Sequence, residues 1–219
     1  MLSDLISTNI PALKPTDTGS EALRLMDELR LSHLPIVDDT EYFGLVSEND
    51  IYELEDENLP LSSCRIPSPI PYVVDTQHIL EVLAAVTGKN LTLIPVLSAK
   101  NNNYLGVITQ TTLLQGLASA TSATMQGGII EIITTPTNYS PALITSVIEA
   151  NDMKAMSLFT RRSADDVEIV VKLNGHNTSA VISGLERHGY RTRSVFEGDS
   201  KYSDLMEERY GALLKYMSV

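Results

Sequence analysis

One pattern occurs twice in the first half of this chain. Leu34-Pro35-Ile36-Val37, a polar turn over 38–42, and Gly44-Leu45-Val46-Ser47-Glu48-Asn49-Asp50 return as Leu93-Ile94-Pro95-Val96-Leu97, a second polar turn, and Gly106-Val107-Ile108-Thr109-Gln110-Thr111-Thr112. Pro35 recurs at Pro95 and Gly44 at Gly106, offsets of 60 and 62 residues. Self-similarity at such a period marks two copies of one supersecondary unit, which bury their apolar faces together. Few folds accommodate that pairing, so the repeat constrains this sequence more than any other feature.

Each copy reads as β-α-β-β-α. Prolines 11 and 15 hold 10–15 extended, because a proline biases its predecessor away from the helical region. Thr18 and Glu21 form a capping box, and Ala22, Leu25, Met26 and Leu29 mark the core face of the helix that follows. Strands are expected over 34–37 and 43–47, and a short helix over 48–54. After an acidic run at 53–57 and a Pro/Ser-rich strap at 58–71, the unit repeats. A strand is expected at 72–74. A helix capped by Asp75 or Thr76, with Ile79, Val82, Leu83 and Val86 inward, ends at Gly88. Strands at 91–97 and 104–109 and a helix at 112–117 complete the copy.

Beyond a small, polar boundary the rhythm changes. Strands are expected at 128–134, 154–160, 167–173 and 190–196. Helices are expected at 140–151, with Leu143, Val147 and Ile148 inward, and at 177–188, closed by Gly189. That order, βαββαβ, is the split ferredoxin-like pattern. Residues 201–217 read as a closing helix with an apolar stripe through Leu205, Met206, Tyr210, Leu213, Leu214 and Met217, which must dock on its own chain or on a partner. The domain division is therefore 1–121 (copies about 1–58 and 59–121), a linker at 122–128, a ferredoxin-like domain at 129–198, and a terminal helix at 199–219. The fold class is α/β in the broad sense (α+β).

Charge narrows the function. The chain carries a net −12. Residues 1–121 hold 6 Lys+Arg against 16 Asp+Glu, a net −10, and the remainder 10 against 12, a net −2. That distribution argues against binding nucleic acid through its phosphates and against an anionic membrane surface. No apolar run reaches the roughly 20 residues that cross a bilayer, and no secretory signal is expected. A single cysteine, Cys64, forms no internal disulfide, so a reducing, cytoplasmic setting is expected. His33, His78, His176 and His188 lie at no metal-ligand spacing. No nucleophile–base set, carboxylate pair or phosphate loop stands at a credible spacing, so no enzyme activity is expected. Arg161, Arg162, Arg191 and Arg193 read as solvated strand ends.

Ser32-His33-Leu34-Pro35-Ile36-Val37-Asp38 followed by Gly44-Leu45-Val46-Ser47-Glu48-Asn49-Asp50-Ile51 resembles the core of a CBS domain, and 93–113 resembles it again. The tandem pair looks like a Bateman module, and 129–198 is similar in element order to an ACT domain. The combination resembles CBS/ACT proteins of the acetoin-utilisation type. The resemblance implies a regulatory module that binds an adenosyl ligand (AMP, ADP, ATP or S-adenosylmethionine), needs no resident cofactor, and signals through rearrangement of a homodimer to an unidentified protein partner. In the family motif, Gly-x-x-Ser/Thr-x-x-Asp, the carboxylate takes the ribose hydroxyls and the hydroxyl sits near phosphate. Those roles fall on Asp50 and Ser47, with adenine against His33, Leu34 and Pro35 and the entering strand near Thr16. The second copy keeps its hydroxyl in Thr109 but has Thr112 where the acid belongs, so its site is expected to be degenerate. The ACT-like part lacks glycine in the 136–140 loop, which favours dimerisation over amino-acid sensing.

Two readings stay open for Ser47 and Asp50. A carboxylate accepts two hydrogen bonds from a ribose diol beside a helix N-terminus suited to phosphate. Equally, serine with an acid three residues on caps a helix with no ligand at all. The acidic residues 38, 39, 41 and 48 around the motif favour a ligand of low charge over a triphosphate. The alternative function is a dimerisation scaffold with an empty cleft.

Overall fold

The computed structural model describes residues 2–64, 69–163 and 165–196. The chain divides into two compact units, Met1–Leu117 and Ala118–Val219. No helix among the described residues is long and apolar enough to cross a membrane. The expected closing helix at 201–217 lies outside the described residues.

The first unit holds both copies. Helix α1 (Gly19–Leu29) precedes the hairpin β1 (His33–Asp38) and β2 (Glu41–Ser47), and α2 (Glu48–Tyr52) closes the copy. The second copy runs β3 (Val73–Val74), α3 (Ile79–Gly88), β4 (Leu93–Leu97), β5 (Tyr104–Thr109) and α4 (Gln110–Ala120). The internal repeat holds at the level of register. Ile36 pairs with Gly44 and Val96 with Gly106, and both hairpins carry an irregularity at the next position. The entering strand of the first copy shrinks to one parallel bridge, Leu13 to Ile36, matching the Val73–Val96 pair of the second. The Leu13 N–H donates to the Pro35 carbonyl at 2.9 Å, and the Val37 N–H to the Leu13 carbonyl at 2.8 Å.

Alternation along the first hairpin splits its side chains between two cores. Leu34, Ile36 and Val46 bury against Ala22, Met26 and Ile51 in the first copy. Leu45 turns to the other face and joins Val73, Leu93, Val96 and Ile108 of the second. The N-terminal segment crosses over too, with Leu2 in the second copy's core and Ser7 paired with Val107. Each buried aliphatic side chain contributes about 1.5–3 kcal/mol, and this exchange ties the copies together. Tyr42 and Tyr104, equivalent in the repeat, stack with ring centroids 6.4 Å apart, and Tyr72 meets Tyr42 edge-on at 6.5 Å. The Tyr42 hydroxyl donates to the Pro71 carbonyl at 2.8 Å, and the Tyr104 N–H to Thr40 O at 2.8 Å. Burial pushes both phenols up, Tyr104 to about 12.

Several local expectations change. Helix α3 is capped by His78, whose Nδ1 accepts the Leu80 N–H at 3.3 Å while Glu81 accepts the His78 N–H at 2.8 Å. Asp75, one of the two residues expected there, accepts the Ala99 N–H instead. Leu29, expected inward, is 36% exposed because α1 is ending there. Helix α4 begins at Gln110 and runs on through Ala118–Ser119–Ala120, since alanine is a strong helix former. Helix α2 stops at Tyr52, short of Leu54.

The second unit runs β6 (Ile129–Thr134), α5 (Pro141–Glu149), β7 (Ala155–Arg162), β8 (Val167–Leu173), α6 (Ser179–Arg187) and β9 (Arg191–Phe196). Its antiparallel sheet has the order β7-β8-β6-β9, the ferredoxin-like arrangement. Alternate residues Ile130, Ile132, Ile169 and Val171 bury beneath α5 and α6. Val147 and Ile148 of α5 are buried as expected, joined by Ile144, while Leu143 stays at the edge. The helices approach so closely that a Cβ on Gly184 would lie 2.6 Å from Val147 Cγ1. Arg161 and Arg193 both hold Glu168, keeping that carboxyl below its usual range.

Candidate functional site

The site starts from the turn between β2 and α2. Ser47 is extended (φ −106°, ψ 163°) and caps α2, its Oγ accepting the Asp50 N–H at 3.2 Å. Asp50 closes the box: Oδ2 accepts the Ser47 N–H at 2.7 Å and the Ser47 hydroxyl at 2.6 Å. Its other oxygen, Oδ1, has no hydrogen-bond partner among the described residues, and the side chain is half-buried. The turn therefore presents one carboxylate oxygen of a fixed, partly desolvated acid.

The hairpin register sets His33 directly across from Ser47, and the Glu48 N–H donates to the Ser32 carbonyl. His33 is half-buried, and its Nδ1 lies 3.1 Å from Thr92 Oγ1 and 3.4 Å from the Thr92 N–H, which can only donate. Nδ1 is thus the accepting nitrogen. Burial holds the His33 imidazole below its ordinary value, against the opposing pull of Asp50 and Glu48. His33 joins the first copy's turn to Thr92 of the second copy.

Thr16 is exposed at the tip of a turn in which Asp17 accepts the Lys14 N–H at 2.8 Å. That turn is pinned by the next strap, with the Leu61 N–H donating to Asp17 O and the Ser62 N–H to Pro15 O. The remaining two candidate residues are buried. Leu34 is fully buried in the first core, and Pro35 is buried with its carbonyl taken by Leu13. Both faces of β1 are covered: Leu34 pairs with Val46 on the first core's side, and Pro35 pairs with Leu45, which belongs to the second core.

One neighbour was not legible in the sequence. Cys64 is buried at the end of the 61–64 strap, and its thiol is pushed up by burial first and by the charge of Asp50 second. Cys64, His33 and Asp50 thus share one electrostatic neighbourhood. No sequence signal links residue 64 to residue 50; only the pairing of the strap with the Thr16 turn does. Among the described residues no group of three or more His, Cys, Asp or Glu can hold a metal ion.

The second copy repeats the geometry without the charge. Thr109 Oγ1 accepts the Thr112 N–H at 3.1 Å, and the two hydroxyls lie 2.7 Å apart. Across the ladder from Thr109 stands Leu93, fully buried, where the first copy has His33. A neutral hydroxyl pair closes this helix start with two hydrogen bonds, where the acid adds a third by accepting the Ser47 N–H.

A family model for the CBS domain matches residues 2–57 and again 65–119. Among solved structures, the chain is similar to a CBS domain pair/ACT domain protein from Thermotoga maritima, at 17% identity over 54% of this chain and 97% of that one, with a TM-score of 0.48. It is similar to CBSX2 in complex with AMP, at 21% identity over 54% and 96%, with a TM-score of 0.47. A third similar structure is a putative acetoin utilization protein from Vibrio cholerae, at 21% identity over 54% and 90%, with a TM-score of 0.47.

Proposed function

The chain belongs to the CBS domain family, whose model matches half of it in two copies, and from that premise we propose that it is a regulatory module that binds one adenosyl ligand in the cleft at Asp50. The observation behind this reading is the contrast between the two helix starts. Thr109 and Thr112 close the second without a charge, so local capping does not require an acid at position 50. Asp50 keeps one oxygen unengaged among the described residues, suited to a ribose diol. Ser47 and the start of α2 would face the next group of the ligand, with Thr16 and His33 at the edges. The second cleft, with Thr112 and Leu93 in place of Asp50 and His33, is degenerate.

The ligand carries little negative charge. The first 121 residues have a net −10, and Glu48 stands beside the turn, so a triphosphate meets a repulsive field. AMP, adenosine or S-adenosylmethionine fits better than ATP. The protein is not an enzyme; it transmits ligand occupancy to a protein partner from a cytoplasmic homodimer, with 129–198 as an ACT-like assembly domain. Such transmission requires that the ligand bind the two arrangements with different affinity.

The test is Asp50→Thr, which imports the second copy's own solution. The local box survives, so stability falls by about 1 kcal/mol. Calorimetry with AMP, adenosine and S-adenosylmethionine should show binding to the native chain weakened at least tenfold in the variant, about 1.4 kcal/mol. Equal affinities would remove Asp50 from the site. The closed Ser47–Asp50 box favours a second reading, in which the acid only caps α2 and the module is a dimerisation scaffold; no binding by any of these compounds would select it.

A further inference from the structure

One chain of hydrogen bonds joins the two helix starts. The Glu48 N–H at the head of α2 donates to Ser32 O at 3.2 Å, and the Gln110 N–H at the head of α4 donates to Thr92 O at 3.1 Å, so Ser32 and Thr92 hold equivalent places in the repeat. These two residues meet, the Ser32 N–H donating to Thr92 Oγ1 at 3.3 Å. His33 fastens the junction from one side. Its Nδ1 accepts the Thr92 N–H at 3.4 Å and lies 3.1 Å from Thr92 Oγ1. The equivalent residue of the second copy is Leu93, whose side chain cannot titrate. Charge around the ring is uneven. From the start of α2, Asp50 and then Glu48 favour its protonated form. From the second copy it meets Thr92, and the head of α4 offers Gln110, both neutral. Cys64 in the strap is a thiol pushed up by burial and by Asp50, so it stays uncharged near neutral pH. Arg30 and Lys89, which lie just before Ser32 and Thr92, are exposed.

We propose that His33 is a proton-operated clasp between the two copies: the neutral ring ties Thr92 to the first helix start, and the imidazolium releases Thr92 and is drawn to Asp50. The physical reason is a conflict of donors. The Thr92 N–H can only donate, and a protonated Nδ1 can only donate, so the two oppose each other once the ring takes up a proton. Asp50 has Oδ1 unengaged among the described residues, and a hydrogen bond between an imidazolium and a carboxylate is stronger than the neutral one it replaces. Loss of the Thr92 bond then loosens the chain that runs on to Gln110 and the start of α4. Burial holds the ring below its ordinary 6.5, so the clasp opens below that value. A ribose diol needs the same oxygen of Asp50, so proton and ligand compete, and acid weakens binding in the first cleft. That competition rests on the reading of Asp50 as the ribose partner; the release of Thr92 does not.

The experiment is NMR spectroscopy of the full, isotope-labelled chain without ligand, from about pH 8 to about pH 5. The His33 ring signals should titrate with a midpoint below 6.5, and the Thr92 and Gln110 amide signals should move with that same midpoint. His33→Gln, whose side-chain oxygen can still accept the Thr92 N–H, should remove the step from both amides. Asp50→Asn should lower the midpoint, because it removes the charge that favours the imidazolium. No titration of His33 in this range would overturn the proposal, and so would a Thr92 signal that moves while Gln110 stays still. Calorimetry with adenosine, which carries no phosphate, reads the competition. Affinity should fall several-fold between about pH 7.5 and about pH 5.5 in the native chain and by less than about twofold in His33→Gln. An equal fall in both chains would overturn the competition. No adenosine binding at either pH would count against Asp50 as a ribose partner, while the Thr92 and Gln110 steps would still establish the clasp.

Discussion

Gly106→Ala tests how the two copies are joined. Gly106 has φ +142°, a backbone region that side chains with a Cβ rarely enter, and a Cβ there would lie 2.6 Å from the Ser7 carbonyl oxygen and 2.8 Å from Ile6 Cγ2. Ser7 is the residue through which the N-terminal segment pairs with β5: the Ser7 N–H donates to Val107 O at 2.8 Å, and the Val107 N–H to Ser7 O at 3.0 Å. The added methyl therefore pushes on the acceptor of one of those bonds. Backbone strain costs about 1–3 kcal/mol, and losing two backbone hydrogen bonds costs about 0.5–1.5 kcal/mol each. The sum, roughly 2–6 kcal/mol, is a large part of the 5–15 kcal/mol typical of a folded domain. Urea denaturation followed by far-ultraviolet circular dichroism should move the first unit's transition to lower denaturant by that amount. Deleting residues 1–9 should cost less in the Gly106→Ala background than in the native chain, because both changes remove the same pairing. A loss below about 1 kcal/mol, or full additivity with the deletion, would refute the assignment of this strap as a structural tie.

Two further expectations follow from buried polar groups. Burial lowers the His33 pKa from its ordinary 6.5, so the unfolded chain takes up a proton near that value while the folded chain does not. The contribution is complete above 6.5 and is lost as pH falls from there toward the lowered folded value; His33→Gln should flatten that part of a stability–pH curve, and an unchanged slope would clear His33 of the effect. Tyr190 is 2% exposed, and its hydroxyl accepts the Ser140 N–H at 3.1 Å and donates to Asn138 O at 2.9 Å at the start of α5. Tyr190→Phe leaves both groups without that partner and should destabilise the second unit by about 1–3 kcal/mol, seen as a lower thermal midpoint; a shift within error would mean that other groups satisfy the loop.

What the sequence determined by itself was the periodic part of this protein. The repeat of Leu-Pro and Gly-x-x-Ser/Thr, the Thr18–Glu21 box and the alternation in 129–134 and 167–173 are local rules. Each acts between residues within a few positions of one another, so element order and both hairpins could be read directly. The Ser47–Asp50 pair was legible for the same reason, since a helix cap needs only three residues.

Tertiary structure decided everything that depends on which face a residue turns to and what lies beyond it. Leu34 and Pro35 sit in the same short motif as His33, yet a core on each face of β1 buries them and leaves His33 half-buried at the strand's start. Leu45 and Val46 are neighbours that enter different cores. Cys64 reaches the neighbourhood of Asp50 through strap pairing across a span with no local signal. His78 caps α3, while Asp75, one of the two expected caps, is engaged by the distant Ala99. In each case the deciding partner is far away in the chain, and only folding brings it within hydrogen-bonding or packing distance.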